Sequence, residues 1–179
     1  MKIRNHILNE AKFIESPNYN NRPNKENINL IVIHSICLPP DEYGKNYVED
    51  FFQNKLSIKD HKYFETIKDL KVSSHLYIKR DGSIIQFVPF DKRAWHAGES
   101  TFNGIDNCND YSIGIELEAK ENDFCSDKQY EILIQASLQI LENYPEIKKD
   151  SIVGHSEVSP KRKTDPGENF DWRRYLESL

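Results

Sequence analysis

Two histidines and one aspartate, His34, His155 and Asp165, have side chains that can hold a divalent metal ion. Two imidazoles and a carboxylate suit zinc, and three protein ligands leave its fourth position for water. Zinc lowers the pKa of a bound water from 15.7 to about 7, which at 1.36 kcal/mol per unit makes hydroxide available at a cost lower by roughly 12 kcal/mol. Hydrolysis of an unactivated amide needs a nucleophile of that kind. The spacing alone is weak evidence. No short HExxH-type motif ties the three together, and a lone His at a strand end is more often structural than ligating.

The stretch GHSEVSPKRKTDPG, residues 154–167, strengthens the case. Lys161, Arg162 and Lys163 stand beside Asp165 in a loop bounded by Pro and Gly. A bare KRK is usually a solvated basic loop. Next to a metal, however, a Lys can stabilise an oxyanion and an Arg can clamp a carboxylate with two hydrogen bonds.

These groups need a scaffold. Leu30-Ile31-Val32-Ile33 is a short continuous apolar run, the pattern of a strand buried on both faces, and it ends on His34. Ser112 to Glu118 alternates polar and apolar residues, so Glu116 points away from the side that Ile113 and Ile115 bury. Ile152 and Val153 lead into Gly154-His155. His75–Arg80 and Ser83–Val88 around Asp81-Gly82 predict a β-hairpin with a type I′ turn. Helices are expected over residues 47–52, about 60–69, 126–143 and from Asp171 onward. In the longest, Ser126 and Gln129 form a capping-box pattern. Tyr130, Leu133, Ile134, Ser137, Leu138 and Leu141 make its apolar stripe. Residues 94–109 read as a long functional loop, and residues 1–27 as an irregular lead-in. Interleaved strands and helices with one antiparallel pair predict an α/β fold, a mixed central sheet flanked by helices. Residues 1–179 are expected to form one domain.

Composition narrows the function. The formal net charge of -5 argues against a general nucleic-acid binder and against an anionic membrane surface. No segment approaches the roughly 18–20 apolar residues of a membrane span, and the N-terminus has no signal-like apolar run. Cys37, Cys108 and Cys125 are odd in number and without a CxxC pair, which suits free thiols in a reducing compartment. The expectation is a cytoplasmic monomer with no nucleic-acid or membrane partner.

The segments HSICLPPDEYG, SHLYIKRDGSIIQFVPFDKRAWHAG, CNDYSIGIELE and GHSEVSPKRKTDPGENFDW resemble motifs of the zinc-dependent N-acetylmuramoyl-L-alanine amidases. Within that family they are most similar to the cytosolic branch that acts on 1,6-anhydro-N-acetylmuramyl peptides in cell-wall recycling. The resemblance runs from about residue 16 to the C-terminus with the motifs in order. It implies an amidase type 2, peptidoglycan-recognition-like fold with zinc held in a cleft by His34, His155 and Asp165. It further implies Glu116 as the acid/base and Lys163 as the group that polarises the scissile carbonyl or its oxyanion.

The same resemblance implies substrate contacts from Trp95, His96, Arg162, Lys71, His75 and Ser35. Lys71 stands where relatives tend to have Arg, and Ser35 where they usually have Asn. Ser74 occupies a place where some phage relatives carry a catalytic Tyr, which favours the Glu116 branch. The expected reaction is cleavage of the lactyl–L-Ala amide of anhydromuropeptides during peptidoglycan recycling. An amidase acting on polymeric peptidoglycan (an autolysin or endolysin) and a non-catalytic peptidoglycan-binding protein are the alternatives.

Overall fold

The computed structural model describes residues 1–120 and 123–179. Strands β1 (Ile3–Arg4), β2 (Ile7–Leu8), β3 (Lys12–Phe13) and β4 (Tyr19–Asn21) precede the long β5 (Leu30–Ile36). Helix α1 (Tyr47–Phe52) and a 3-10 helix (Lys62–Thr66) come next. Then follow β6 (Leu76–Ile78), β7 (Ile84–Gln86), β8 (Lys92–Ala94), β9 (Thr101–Phe102), β10 (Ile105–Asp106) and β11 (Ser112–Glu118). Helix α2 (Asp127–Asn143), β12 (Ile152–Gly154), α3 (His155–Val158) and α4 (Trp172–Glu177) complete the chain.

Six strands form one mixed sheet in the order β12-β5-β11-β6-β7-β3. Its centre is parallel, with β5 between β12 and β11, and β6 on the far side of β11. Only β6 and β7 run antiparallel. The expected mixed α/β sheet is therefore present. The β5 strand extends beyond the apolar run that announced it, because Glu116, Leu117 and Glu118 continue the ladder opposite His34, Ser35 and Ile36. His34 accordingly sits inside the strand rather than at its end.

Alternation divides the sheet into two faces. Ile31, Ile33, Ile113, Ile115 and Leu117 pack with Tyr130, Leu133, Ala136 and Ile140 of α2. Leu30 and Val32 belong to a cluster on the other side with Ala97, Cys108 and Val158. Fully burying a side chain of this size contributes about 1.5–3 kcal/mol. The capping box of α2 forms as expected, with Gln129 N donating to Ser126 Oγ at 3.2 Å and Ser126 N to Gln129 Oε1 at 2.9 Å. The buried face of the helix differs from the expected stripe. Gln129, Ala136 and Ile140 join Tyr130, Leu133 and Ser137 as its buried residues, Ile134 and Leu141 pack half-buried on the core, and Leu138 is 41% exposed. Polar anchors set this rotation: Gln129 Nε2 donates to the Ile78 and Glu118 carbonyls, and Ser137 Oγ meets Tyr175 OH at 2.6 Å.

Two further expectations need correction. Residues 1–27 hold a β1–β2 hairpin, a strand β3 on the main sheet, and β4 paired with β8. Strands of two or three residues carry no readable period. In the β6–β7 hairpin only Gly82 of the Asp-Gly pair has positive φ, at 87°. Lys79 N donates to the Ser83 carbonyl and Gly82 N to the Lys79 carbonyl. This is a longer loop with a left-handed glycine at its end, not a type I′ turn. Asp81 Oδ1 stabilises it by accepting from Ser83 N and Oγ. The expected helix near 60–69 is the 3-10 helix Lys62–Thr66. The C-terminal helix is capped by Asp171, whose side chain accepts from Arg174 N. Among the described residues no helix is long and apolar enough to cross a membrane, and the three cysteines are free thiols.

Candidate metal centre and active site

Strand register builds the centre. His34 of β5 and Glu116 of β11 are direct neighbours, both on the face away from α2. Gly154 pairs with Ile33, so β12 delivers His155, the first residue of α3, beside His34. The loop after α3 returns Asp165, whose carbonyl accepts from Ser156 N at 2.9 Å. The three candidate ligands converge. His34 Nδ1 lies 2.9 Å from His155 Nδ1, and Asp165 Oδ2 lies 3.1 Å from each. Among the described residues they are the group of metal-ligating side chains placed close enough to share one ion.

Both imidazoles are held from behind. His155 Nε2 donates to the Ala97 carbonyl at 3.0 Å, which leaves its Nδ1 lone pair facing the centre. His34 Nε2 lies 2.9 Å from His96 Nδ1, and His96 Nε2 lies 3.1 Å from Ser112 Oγ. The proton order that satisfies this chain has His34 Nε2 donating to His96, which donates to Ser112. His34 Nδ1 is then bare as well. Burial lowers the His34 pKa to about 4, so its ring is neutral near pH 7. Two facing lone pairs and a carboxylate repel one another unless a cation lies between them. Ligand bonds near 2.1 Å in a tetrahedron place neighbouring donors about 3.4 Å apart, a few tenths of an ångström beyond the spacing of 2.9–3.1 Å here. The donor set fits zinc.

Glu116 is 8% exposed, and among the described residues its Oε2 has no hydrogen-bond partner. Burial, then the charge of Asp165, raises its pKa well above the ordinary carboxylate range, while Lys163 pulls it down. These groups line an inner cleft of about 300 Å³ whose opposite wall is apolar, with Phe51, Phe52, Ile67 and Leu70. An outer cleft of about 750 Å³ carries Lys120, Arg162, Asp41 and Asp123. Ser35, Tyr63, Lys163 and Asp165 line both parts.

The residues expected to touch substrate separate into two groups. Ser35, His96 and Arg162 line the cleft. His96 also supports His34, and Arg162 Nη2 donates to the Ala97 and Glu99 carbonyls. Trp95, Lys71 and His75 are not among the lining residues. Trp95 Nε1 donates to Asn20 Oδ1, and Lys71 is exposed beside a shallow recess with Lys68 and Leu70. His75 is fully buried, accepting at Nδ1 from Gly114 N and lying with Nε2 3.0 Å from the Lys92 carbonyl. It braces the scaffold.

Some supports had no signal in the sequence. Arg22, 4% exposed in the supposed lead-in, donates to the carbonyls of Phe90, Asn109, Asp110 and Ser112. Asn109 Oδ1 accepts from the backbone N–H groups of His96 and Ala97. Gly114 is needed for space, because a Cβ there would stand 2.4 Å from His96 Cγ.

Comparison with known proteins agrees with this geometry. Residues 24–168 match the family described as N-acetylmuramoyl-L-alanine amidase. The chain is 50% identical over 177 residues to the 1,6-anhydro-N-acetylmuramyl-L-alanine amidase AmpD of Haemophilus influenzae, covering 99% of this chain and 96% of that one. It is 45% identical to the AmpD of Escherichia coli over 165 residues, 92% of this chain and 90% of that one. The crystal structure of a selenomethionine AmpD derivative superposes with a TM-score of 0.97 at 44% identity, covering 100% and 99% of the two chains. With its sheet, cleft and matched length, the chain belongs to the N-acetylmuramoyl-L-alanine amidase family and is an amidase.

Proposed function

We propose that this amidase hydrolyses the bond between the lactyl group of 1,6-anhydro-N-acetylmuramic acid and L-alanine, on soluble fragments released during peptidoglycan recycling in the cytoplasm. Residues 1–179 act as one domain and as a monomer. The observation that carries the reading is the convergence of His34, His155 and Asp165 within hydrogen-bonding distance of one another, beside a buried Glu116 whose Oε2 has no partner among the described residues. High identity across nearly the full length of AmpD relatives supports the anhydro substrate.

His34, His155 and Asp165 would hold zinc. When bound, it supplies a Lewis acid that polarises a carbonyl and lowers the pKa of water to about 7. The chain's own residues handle charge and protons. Glu116 takes the proton of the attacking water and returns it to the departing alanine nitrogen. Its environment serves both roles, because burial favours the protonated form and Lys163 the ionised one. Lys163, lining both parts of the cleft, places an ammonium where the tetrahedral oxyanion develops. Phe51, Phe52, Ile67 and Leu70 exclude water from the reacting bond. Ser35 and Lys120 of the outer wall contact the sugar and stem peptide.

The test is incubation of zinc-loaded protein with an anhydromuramyl tripeptide and, separately, with intact sacculi, reading products by mass spectrometry. Free peptide from the soluble fragment with little from sacculi is expected. Efficient cutting of sacculi moves the substrate to polymeric peptidoglycan, and cleavage of neither removes the catalytic reading. Exhaustive chelation abolishes turnover if zinc is required.

A further inference from the structure

Both imidazoles of the ligand cluster lean on one short segment, residues 95–99. His34 reaches it through the His96 ring, and His155 through the Ala97 carbonyl. That carbonyl accepts a second hydrogen bond, from Arg162 Nη2 at 2.6 Å. The same nitrogen donates to the Glu99 carbonyl at 3.1 Å and lies 3.5 Å from His155 Nε2. The chain makes this return locally. After α3 the backbone turns, with Arg162 N and Lys163 N both donating to the Ser159 carbonyl, and Ser159 Oγ adds a bond of 2.8 Å to the Glu99 carbonyl.

Gly98 makes room for the guanidinium. Its φ is +59°, and a Cβ at this position would stand 2.9 Å from Arg162 Nη2. Without the guanidinium, a glycine-hinged carbonyl would be free to drift. The ring torsion of a histidine is broad, so His155 would drift with it. A charge-assisted hydrogen bond is about twice as strong as a neutral one, and the rigid planar guanidinium loses little freedom in making it.

We propose that Arg162 is a positioning residue of the metal centre. By sharing the Ala97 carbonyl with His155, it fixes the direction of that ligand's Nδ1 lone pair. This role takes the place of the carboxylate clamp expected of an Arg beside a metal site. The inference rests on the zinc reading given above.

The test measures zinc affinity of metal-stripped Arg162→Gln by competition with a chromophoric chelator, alongside Michaelis constants of the zinc-saturated protein. The zinc dissociation constant is expected to rise about 10-fold to 100-fold, as for other partners behind metal ligands, with KM unmoved. Gly98→Ala, which keeps Arg162 but crowds Nη2, is expected to shift zinc affinity in the same direction. A raised KM with unchanged zinc affinity overturns the proposal in favour of a substrate clamp. If the unsubstituted protein itself takes up no zinc, the metal reading fails. If it binds zinc and both variants bind it equally well, only the role of Arg162 is lost.

Discussion

The two faces of β5 and β11 are built from the same fourteen-odd residues and could hardly differ more. Toward α2 they present Ile31, Ile33, Ile113, Ile115 and Leu117, all fully buried among other apolar side chains. On the opposite face Leu30 and Val32 form a smaller apolar cluster, and beside it stand His34, Ser112, Gly114, Glu116 and Glu118, which are also buried. Nearly every polar group on the second face has a fixed partner. Ser112 Oγ meets His96, and Glu118 accepts from the backbone N–H groups of Gly44 and Arg80. Glu116 Oε2 is the exception, and an unpaired buried carboxylate oxygen is a destabilising feature. One face therefore contributes stability, and the other uses some of it to hold reactive groups in place.

Substitutions on opposite faces of β11 test that division. Glu116→Gln keeps the shape and removes the acid/base. Turnover is expected to fall about 10²-fold to 10⁴-fold. The urea midpoint is expected to hold or rise, because a buried group with no partner is being neutralised. Near-normal turnover would remove Glu116 from the chemistry. Its neighbour Ile115→Ala should do the reverse. Loss of a fully buried side chain costs about 2–5 kcal/mol of unfolding free energy, with zinc-loaded turnover intact below the melting transition. Lost turnover in folded, zinc-loaded Ile115→Ala would show that the faces are not separable.

Acid offers a smaller perturbation, confined to the cleft side. Burial, then the Arg22 cation, holds the His75 pKa well below 6.5. The unfolded chain takes up that proton as pH falls through about 6.5, and the folded chain does not. Between those limits the unfolded state binds more protons, so stability is lost as pH falls. For one group the slope is at most about 1.4 kcal/mol per pH unit. Denaturant midpoints of metal-stripped protein from about pH 7 to pH 5 should therefore decline less steeply in His75→Asn. Equal slopes would mean that His75 is protonated in the native state.

How far the sequence reveals this division depends on the kind of atom involved. The strand runs at Leu30–Ile33 and Ser112–Glu118, the Ser126 cap, the helix start at Asp171 and the family-like motifs around His34, His155 and Asp165 are side-chain patterns. They were legible for that reason. The parts that were hidden depend on backbone atoms brought from far away. The Ala97 carbonyl behind His155 and the carbonyls gathered by Arg22 have no signature in residue type. Trp95, Lys71 and His75 have side chains suited to binding a sugar peptide. The fold directs them to Asn20, to the surface and to Gly114.

Helix α2 gives the smallest test and the most local one. Its sequence permits two apolar faces a fraction of a turn apart, one through Leu138 and one through Ala136 and Ile140. Hydrogen bonds from Gln129 and Ser137 select the second, leaving Leu138 41% exposed while Ala136 is fully buried. Leu138→Ser should therefore change stability by less than about 0.5 kcal/mol, whereas Ala136→Leu should cost about 1–3 kcal/mol by overpacking. Thermal and urea unfolding of the two variants would decide it. If Leu138→Ser costs as much as a core truncation, α2 seats the face its periodicity suggested. The apolar side of the sheet would then be packed differently from the arrangement that places His34 and Glu116 on the cleft.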